Sequence, residues 1–195
     1  RRTRRDRPAR PPAVFDDAGF TPALVLPFRR VGNSFICCRT AGERWSMATV
    51  RQDLGQFGEI SVIKFCACPR CKRPKSLVRL PPNFKCADVI CDFCGFLAQV
   101  KASTVSDVDV PPKTILGAAW GPQRDRMSAA IYFPLYLVLT ARSSERHSIF
   151  YLSADLQEPE MFLPRTPLSS SARRAGWQGF YYNIDAIRDR LVRLV

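Results

Sequence analysis

Hydrophobic and polar positions become periodic only after Met47, the first methionine of the chain. A short helix is predicted for residues 48–55, and a strand for "EISVIKF" at 59–65 because β-branched residues favour extended backbone. Two further strands are predicted at 84–90 and 95–103, joined by the tight turn "CDFC". The middle of the chain therefore predicts a strand pair built around a cysteine turn.

The second half of the chain continues this mixed pattern. "RDRMSAA" at 124–130 is compatible with a helix, whereas "IYFPLYLVLTA" at 131–141 and "HSIFYLSADL" at 147–156 are typical of buried strands. The last segment, 183–195, has apolar residues at helical spacing, and an extended ending is the alternative. The predicted fold class is a mixed α and β domain, of the α/β or α+β kind.

Two regions are predicted along the chain. Residues 1–46, rich in Arg, Pro and Gly without clear periodicity, are expected to be a disordered or accessory extension, and residues 47–195 a folded domain. The longest apolar run, 129–141, is shorter than the roughly 20 residues of a membrane span, and Pro134 interrupts it. No secretory signal follows the first arginines, so we expect a cytoplasmic protein without a membrane partner.

The charge of the chain indicates a polyanionic partner. Thirty Lys and Arg residues against seventeen Asp and Glu residues leave a net charge of +13. The first ten residues contain six Arg and one Asp and so account for +5 of this charge, which leaves +8 on the rest. A basic excess of this kind most often serves nucleic-acid binding.

Cysteine spacing gives the first strong motif. Two Cys-x-x-Cys pairs are separated by nineteen residues: Cys68 and Cys71, then Cys91 and Cys94. Four thiolates from two such turns fill the tetrahedral coordination sphere of Zn²⁺ and leave no position for water, which predicts a structural zinc site. Cys66 is an alternative ligand, although Cys66 and Cys86, like Cys37 and Cys38, are expected to be free thiols. A zinc ribbon alone would also fit a protein-interaction module.

Polar residues flank the second cysteine pair in a second arrangement. Residues two apart in a strand face the same side, so Gln99 and Lys101 project together while Ala98 and Val100 face the core. An antiparallel pairing across the cysteine turn would bring the Asp88 carboxylate beside them. Asp88, the Gln99 side-chain oxygen and the Val100 carbonyl would suit Mg²⁺, with Lys101 beside a phosphate. The pattern suits phosphodiester hydrolysis, and a solvated strand face is the alternative.

The combination of these motifs resembles a known family. Asp88, "CDFC" and "QVK" resemble the PD-(D/E)xK nuclease core of the Dam-replacing, or Dpn-type, restriction endonucleases, and "SARRAGWQGFYYNI" at 171–184 is similar to a second segment of that family. The resemblance covers roughly residues 60–195. It implies a restriction-endonuclease-like core with a zinc-ribbon hairpin inserted in its sheet. A C-terminal winged-helix domain, which the family also carries, is expected to be absent.

The resemblance also implies roles for individual residues. Asp88 looks like the family's metal-binding aspartate and Lys101 like its catalytic lysine, while the four paired cysteines look like its zinc ligands. Gln99 departs from the family pattern, which has an acidic residue at that position. Glu59 would be a compensating carboxylate, and a solvated glutamate is the alternative.

DNA contacts are predicted at two places. By resemblance, Trp177 would touch the methyl group of methylated adenine, with Arg173 and Arg174 beside it on phosphates or base edges. Arg124 and Arg126 would add phosphate contacts. A half-buried anchor at a turn is the alternative for Trp177, and an exposed salt-bridged helix face is the alternative for the last two arginines.

These inferences converge on a nuclease. The hypothesis is a Mg²⁺-dependent type II endodeoxyribonuclease that cuts adenine-methylated double-stranded DNA, with a transient dimer on DNA as its expected assembly. A catalytically silent reader of the same fold is the alternative. The chain contains one histidine, His147, which excludes nucleases that need two, and it has no G-x-S-x-G, Walker A or G-x-G-x-x-G motif. His147 is expected to be a surface residue at the start of a strand.

Overall fold

The structure is a computed structural model that describes residues 29–31, 34–36, 50–82, 84, 87–142 and 146–195. The chain divides into two compact units, Arg1–Arg44 and Trp45–Val195. In the first unit, strands β1 (Arg29–Val31) and β2 (Ser34–Ile36) pair antiparallel. Three of the predicted free thiols, Cys37, Cys38 and Cys86, lie outside the described residues.

The described part of the second unit contains two α-helices, three short 3-10 helices and nine strands. The α-helices are α1 (Val50–Phe65) and α2 (Trp120–Ser128). The strands, in chain order, are β3 (Leu77–Arg79), β4 (Val89–Cys91), β5 (Leu97–Val105), β6 (Thr114–Ala119), β7 (Leu135–Ala141), β8 (His147–Leu152), β9 (Phe162–Pro164), β10 (Gly179–Asn183) and β11 (Val192–Arg193). None of the helices in this part of the chain has the length and apolar character of a membrane span.

The nine strands form two sheets. Six of them make the main sheet, in the order β11-β8-β7-β5-β4-β3, where β5 and β7 are parallel and the other neighbours antiparallel. The other sheet has three strands in the order β6-β10-β9, all antiparallel. The prediction of a mixed α and β fold is therefore confirmed.

Two hydrophobic cores lie on opposite faces of the main sheet. On one face, Val62 of α1 packs in a cluster with Val100 and Val138 of the sheet. On the other face, Leu137 packs in a second cluster with Phe180 of the small sheet. Because β7 lies between both cores, its residues are apolar without alternation, as expected for a strand covered on both faces. The main sheet is thus a middle layer between α1 and the small sheet.

The prediction of a strand at 59–65 is wrong, because these residues form the second half of α1. The buried residues in this segment and directly beside it, Gly58, Ser61, Val62 and Cys66, follow the i, i+3, i+4, i+8 spacing of one helix face. The β-branched residues that favour a strand locally are thus overruled by the packing of that face on β5 and β7. One helix of 16 residues replaces the predicted helix and strand.

Other predicted elements are shifted or shortened rather than replaced. The strand expected at 84–90 begins only at Val89, and the strand expected at 95–103 covers Leu97–Val105. The predicted helix near 124–130 is α2, and β7 and β8 begin and end inside the two predicted apolar strands. The last segment contains both alternatives, a 3-10 helix at Asp185–Arg190 followed by the short strand β11.

His147 begins β8, as predicted, but it is half-buried. Its ring centroid lies 6.0 Å from that of Phe57 and 5.0 Å from that of Phe65, both on α1. This histidine therefore belongs to the packing between α1 and the sheet.

Gly58 sets the distance between α1 and β5. A Cβ atom at Gly58 would lie 2.9 Å from the Ala102 Cβ and 3.4 Å from a Val100 methyl group, whereas a Cβ at Gly55 would meet nothing within 4 Å. We expect Gly58→Leu to lower the free energy of unfolding by roughly 1–3 kcal/mol, because overpacking separates the helix from the sheet. Gly55→Leu is the matched control and should raise it by about 0.5–1 kcal/mol through helix propensity. Urea unfolding measures both, and equal effects would contradict the close packing.

Candidate active site and cysteine cluster

Asp88 stands immediately before β4, where the β4–β5 pairing ends. Val89 pairs with Ala98, so the same register brings Asp88 opposite Gln99, as the sequence predicts. The Asp88 N–H donates to the Ala98 carbonyl at 2.9 Å, and the Val100 N–H donates to Asp88 Oδ2 at 2.7 Å. The carboxylate therefore takes the place of the next main-chain acceptor in the ladder, which fixes its position against β5.

Strand β5 separates polar from apolar residues by alternation. Ala98 and Val100 are buried in the core beneath α1, as predicted, while Gln99 and Lys101 project from the opposite face. The Gln99 N–H donates to the Pro134 carbonyl on the β7 side, at 2.8 Å. Since successive residues direct their main-chain groups to opposite edges, the Val100 carbonyl points towards the Asp88 side. Three oxygen atoms that could bind a metal, from Asp88, Gln99 and Val100, thus come together where β4 and β5 pair.

A buried tyrosine completes this arrangement. The Tyr182 hydroxyl on β10 donates to Gln99 Oε1 at 2.9 Å, and only 2% of the Tyr182 surface is exposed. Burial raises the pKa of Tyr182, and the Asp88 charge raises this pKa further. Tyr182 therefore remains a hydrogen-bond donor at neutral pH, and it joins the small sheet to β5 at the polar site.

Asp88, Gln99 and Lys101 line one cleft of about 230 Å³. Its other wall comes from β6, α2 and β10, and includes Ala118, Ala119, Gln123, Arg126, Phe180 and Tyr182. Sequence reasoning did not identify Gln123 or Tyr182 as site residues. The alternation of Phe180 and Tyr182 in "GFYYN" is the signal that places both on one strand face. Gln123 is buried, with 6% of its surface exposed. A buried glutamine that faces a polar cleft has no comparable signal in the sequence.

Glu59 lies on α1, next to this cleft rather than in it. It lines a smaller cavity of about 50 Å³ together with Asp88, and it forms a salt bridge with Arg79. Burial raises the pKa of Glu59, although Arg79 opposes that shift. The structure thus places the candidate compensating carboxylate beside Asp88 but pairs it with an arginine.

The two arginines of α2 point in different directions. Arg126 lines the cleft, with its guanidinium 5.9 Å from the centre of the Phe133 ring. Arg124 is exposed and forms a salt bridge with Asp125 at 3.0 Å. Residues two apart on a helix face different sides, so the two arginines do not point into the same cleft. Arg126 alone of this pair faces the candidate active site.

Arg173, Arg174 and Trp177 lie in the turn that joins β9 to β10. Arg173 and Arg174 are exposed, and the Arg174 guanidinium stacks 4.6 Å from the centre of the half-buried Trp177 ring. A Cβ at Gly179 would meet the Trp177 ring at 2.8 Å and the Ala118 carbonyl at 3.3 Å. The Trp120 N–H, directly after β6, donates to the Gln178 carbonyl of the turn at 2.9 Å. The turn thus contacts the end of β6 that lines the cleft, although the described residues lining the cleft include none from the turn itself.

The two Cys-x-x-Cys pairs meet at one end of β4. The four Sγ atoms of Cys68, Cys71, Cys91 and Cys94 lie within 4.8 Å of one another. Two of the distances, Cys68 to Cys94 and Cys71 to Cys91, are 3.6 and 3.7 Å. Tetrahedral Zn–S bonds of about 2.3 Å require sulfur separations of about 3.8 Å, and a disulfide would require about 2.05 Å. The four cysteines could therefore bind a metal such as zinc.

Ser76 supports the thiolate form of one of these residues. Its hydroxyl lies 3.3 Å from Cys91 Sγ. Burial raises the pKa of Cys91, but the hydrogen bonds that its thiolate would accept from the Ser76 hydroxyl and from backbone N–H groups outweigh burial and lower this pKa to about 6. By contrast, burial raises the pKa of Cys66 to about 11, and Cys66 lies outside the four-sulfur cluster. Cys66 thus fits the prediction of a free thiol.

A model of the Dam-replacing family matches residues 47–192, which is more than half of the chain. The chain belongs to the Dam-replacing family. None of the curated proteins matches it. Membership of the Dam-replacing family suggests a modification-dependent restriction endonuclease with DNA as its substrate. The matched region contains the cleft, the cysteine cluster and the turn with Trp177.

The metal content of two cysteine variants tests the composition of the cluster. We expect the purified chain to hold one zinc ion and Cys71→Ser to lose it, with a lower midpoint of thermal unfolding, because the remaining three thiolates bind zinc less tightly. Cys66→Ala should keep its zinc. Elemental analysis of the folded proteins measures both. A Cys66→Ala protein that is as depleted of zinc as Cys71→Ser would contradict the four-cysteine assignment.

Proposed function

We propose that this protein is a Mg²⁺-dependent endodeoxyribonuclease with a PD-(D/E)xK-type core, acting on adenine-methylated double-stranded DNA. The observation that carries the proposal is the convergence of Asp88, Gln99 and Lys101 on one cleft in a chain of the Dam-replacing family. A carboxylate, an amide oxygen and a lysine on paired strands form a set of groups suited to phosphodiester hydrolysis.

The oxygen atoms at the cleft fit a hard divalent cation. Asp88 uses one carboxylate oxygen for the Val100 N–H, which leaves the other oxygen for a metal. Gln99 Oε1 accepts one hydrogen bond from Tyr182 and has a second lone pair. With the Val100 carbonyl, these residues would hold Mg²⁺, which would supply Lewis-acid polarisation of the phosphate and an acidified water.

Lys101 would act on the phosphodiester from the floor of the cleft. Its side chain shares the strand face with Gln99, so its ammonium group would lie beside the phosphate and could orient the attacking water or offset charge in the transition state. Arg126, on the opposite wall, would neutralise a phosphate oxygen. Two cations that line one cleft suit a phosphodiester backbone.

Recognition of the methylated base is proposed for the turn between β9 and β10. Trp177 would offer an apolar surface to the methyl group, and the exposed Arg173 and Arg174 would contact phosphates or base edges. The stacking of Arg174 on the Trp177 ring supports this proposal, since it holds one cation beside that surface. Arg124 would make a more distant phosphate contact, outside the cleft.

A structural Zn²⁺ bound by the four cysteines would fix the turn that connects β4 to β5, and residues 47–195 would form the nuclease domain with residues 1–46 as an accessory extension. Cutting both DNA strands with one cleft per chain would require a transient dimer on DNA. The proposed place of action is the cytoplasm, where the DNA of a bacterial cell lies.

Cleavage of one plasmid, prepared with and without adenine methylation, tests the proposed activity. We expect cutting only of the methylated plasmid and only with Mg²⁺, and none with EDTA. Lys101→Ala should reduce the rate by roughly 100-fold or more, because a charge that stabilises the transition state is removed. Lys113→Ala, an exposed lysine outside the cleft, is the matched control and should cut at the normal rate. Equal activity of the two variants would exclude Lys101 from catalysis.

The second candidate is a catalytically silent reader of methylated or non-specific DNA, which is favoured by one observation. Gln99 is neutral where the family pattern has an acidic residue, so the cleft offers a metal one carboxylate rather than two. We expect Gln99→Glu to increase Mg²⁺-dependent cleavage at limiting Mg²⁺, because the added charge strengthens metal binding. Rates measured across a Mg²⁺ titration check this. A wild-type chain that binds methylated DNA but never cuts, together with an inactive Gln99→Glu, would support the reader.

A further inference from the structure

An amide at position 99 poses an orientation problem that a carboxylate does not. The two ends of a glutamine side chain differ, and only Oε1 can bind a cation, whereas both oxygens of a glutamate can. Asp88 lines the same cleft, and its carboxylate attracts the NH₂ end of a neighbouring amide. Without a further hydrogen-bond partner, the Gln99 amide would turn its NH₂ group towards Asp88 and its oxygen away from a metal in the cleft.

The structure contains a group that opposes this rotation. The Tyr182 hydroxyl lies 2.9 Å from Gln99 Oε1. It is a neutral phenol at neutral pH and donates a hydrogen bond to that oxygen. Turning the amide over would make the hydroxyl the acceptor of an N–H and would leave its own hydrogen without an acceptor among the described residues, which costs free energy in a buried group. Tyr182 therefore favours the orientation in which Oε1 faces the cleft.

Tyr182 is itself held by its surroundings. Its ring centroid lies 5.5 Å from that of Phe162 and 5.0 Å from that of Phe180. Main-chain pairing fixes it from both sides, with Phe162 on β9 and Ile115 on β6 opposite to it. A donor on a buried ring between two paired strands loses little entropy when it binds Gln99.

We propose that Tyr182 is a positioning residue that fixes the Gln99 amide with Oε1 towards the cleft, so that a glutamine can serve as a metal ligand there. This inference rests on the proposed function, because it assumes that Gln99 binds the divalent cation. It also explains why a neutral residue is tolerated at position 99: the ligand atom is supplied by orientation rather than by charge.

The test compares Tyr182→Phe in two backgrounds, with Gln99 and with Gln99→Glu. Zinc-saturated full-length proteins are titrated with Mn²⁺, and free Mn²⁺ is measured by electron paramagnetic resonance. With Gln99, loss of the hydroxyl should weaken Mn²⁺ binding by roughly threefold to tenfold, the effect of one hydrogen bond. With Gln99→Glu, either carboxylate oxygen can bind the metal, so loss of the Tyr182 hydroxyl should weaken Mn²⁺ binding by less than about twofold.

A neighbouring tyrosine provides the matched control. Tyr181 lies on the same strand but faces the other way, with the Arg165 guanidinium 5.1 Å from its ring centre. Tyr181→Phe should leave Mn²⁺ affinity unchanged in both backgrounds. Because Tyr182→Phe keeps the ring in the aromatic cluster, unfolding midpoints close to wild type are expected for both variants.

The outcomes separate this inference from the function on which it rests. Normal Mn²⁺ affinity in Tyr182→Phe, or an equal loss in both backgrounds, would overturn the positioning role while leaving the nuclease proposal intact. Binding by the Gln99→Glu protein but not by wild type would show that Gln99 is not held as a ligand. If neither protein binds Mn²⁺, the metal site of the proposed function fails, and the role of Tyr182 fails with it.

Discussion

The antiparallel pairing of β4 with β5 is the constraint on which the site depends. This pairing has only a few residues, yet it places Asp88 opposite Gln99 and lets the Val100 N–H bind the Asp88 carboxylate. The cysteine cluster lies at the other end of the same pair of strands, where Cys91 ends β4. A metal at these cysteines would hold the strand register, and a shift by one residue would turn Gln99 and Lys101 into the core.

The layered fold gives the two faces of β5 different tasks. The face beneath α1 is apolar and packed closely enough that a glycine is needed at position 58. The opposite face would be equally apolar if the small sheet covered all of it, as it does at Leu137 of β7. The small sheet and α2 instead leave a cleft beside Gln99 and Lys101, with the Tyr182 hydroxyl of the small sheet bound to Gln99 at its edge. Burial of apolar residues on one face of β5 thus offsets the cost of placing polar residues on the other.

Sequence reasoning predicted the proximity of residues whose contacts are local. Asp88, Gln99 and Lys101 lie on or beside the β4–β5 hairpin, so strand alternation is enough to bring them together. The four cysteines were related by their paired spacing, because a single zinc ion needs four such ligands. Tyr182 is 83 residues from Gln99, and only the packing of the second sheet joins them. Packing on the sheet also makes the second half of α1 helical, although its β-branched residues favour a strand. Arg124 and Arg126 were both predicted to contact phosphates, but they lie on different sides of α2 and only Arg126 lines the cleft.

The charges around the cleft link metal binding to DNA binding in the proposed enzyme. Asp88 contributes one negative charge, while Lys101 and Arg126 contribute two positive charges, so the described ionisable residues lining the cleft have a net charge of +1. A glutamate at position 99 would reduce this to zero. A divalent cation is repelled by a positive cleft, whereas a phosphodiester is attracted to it and brings the missing negative charge. By reciprocal linkage, DNA would then tighten metal binding and the metal would tighten DNA binding by the same factor. The glutamine therefore makes the cleft depend on its substrate for the charge that a second carboxylate would otherwise supply.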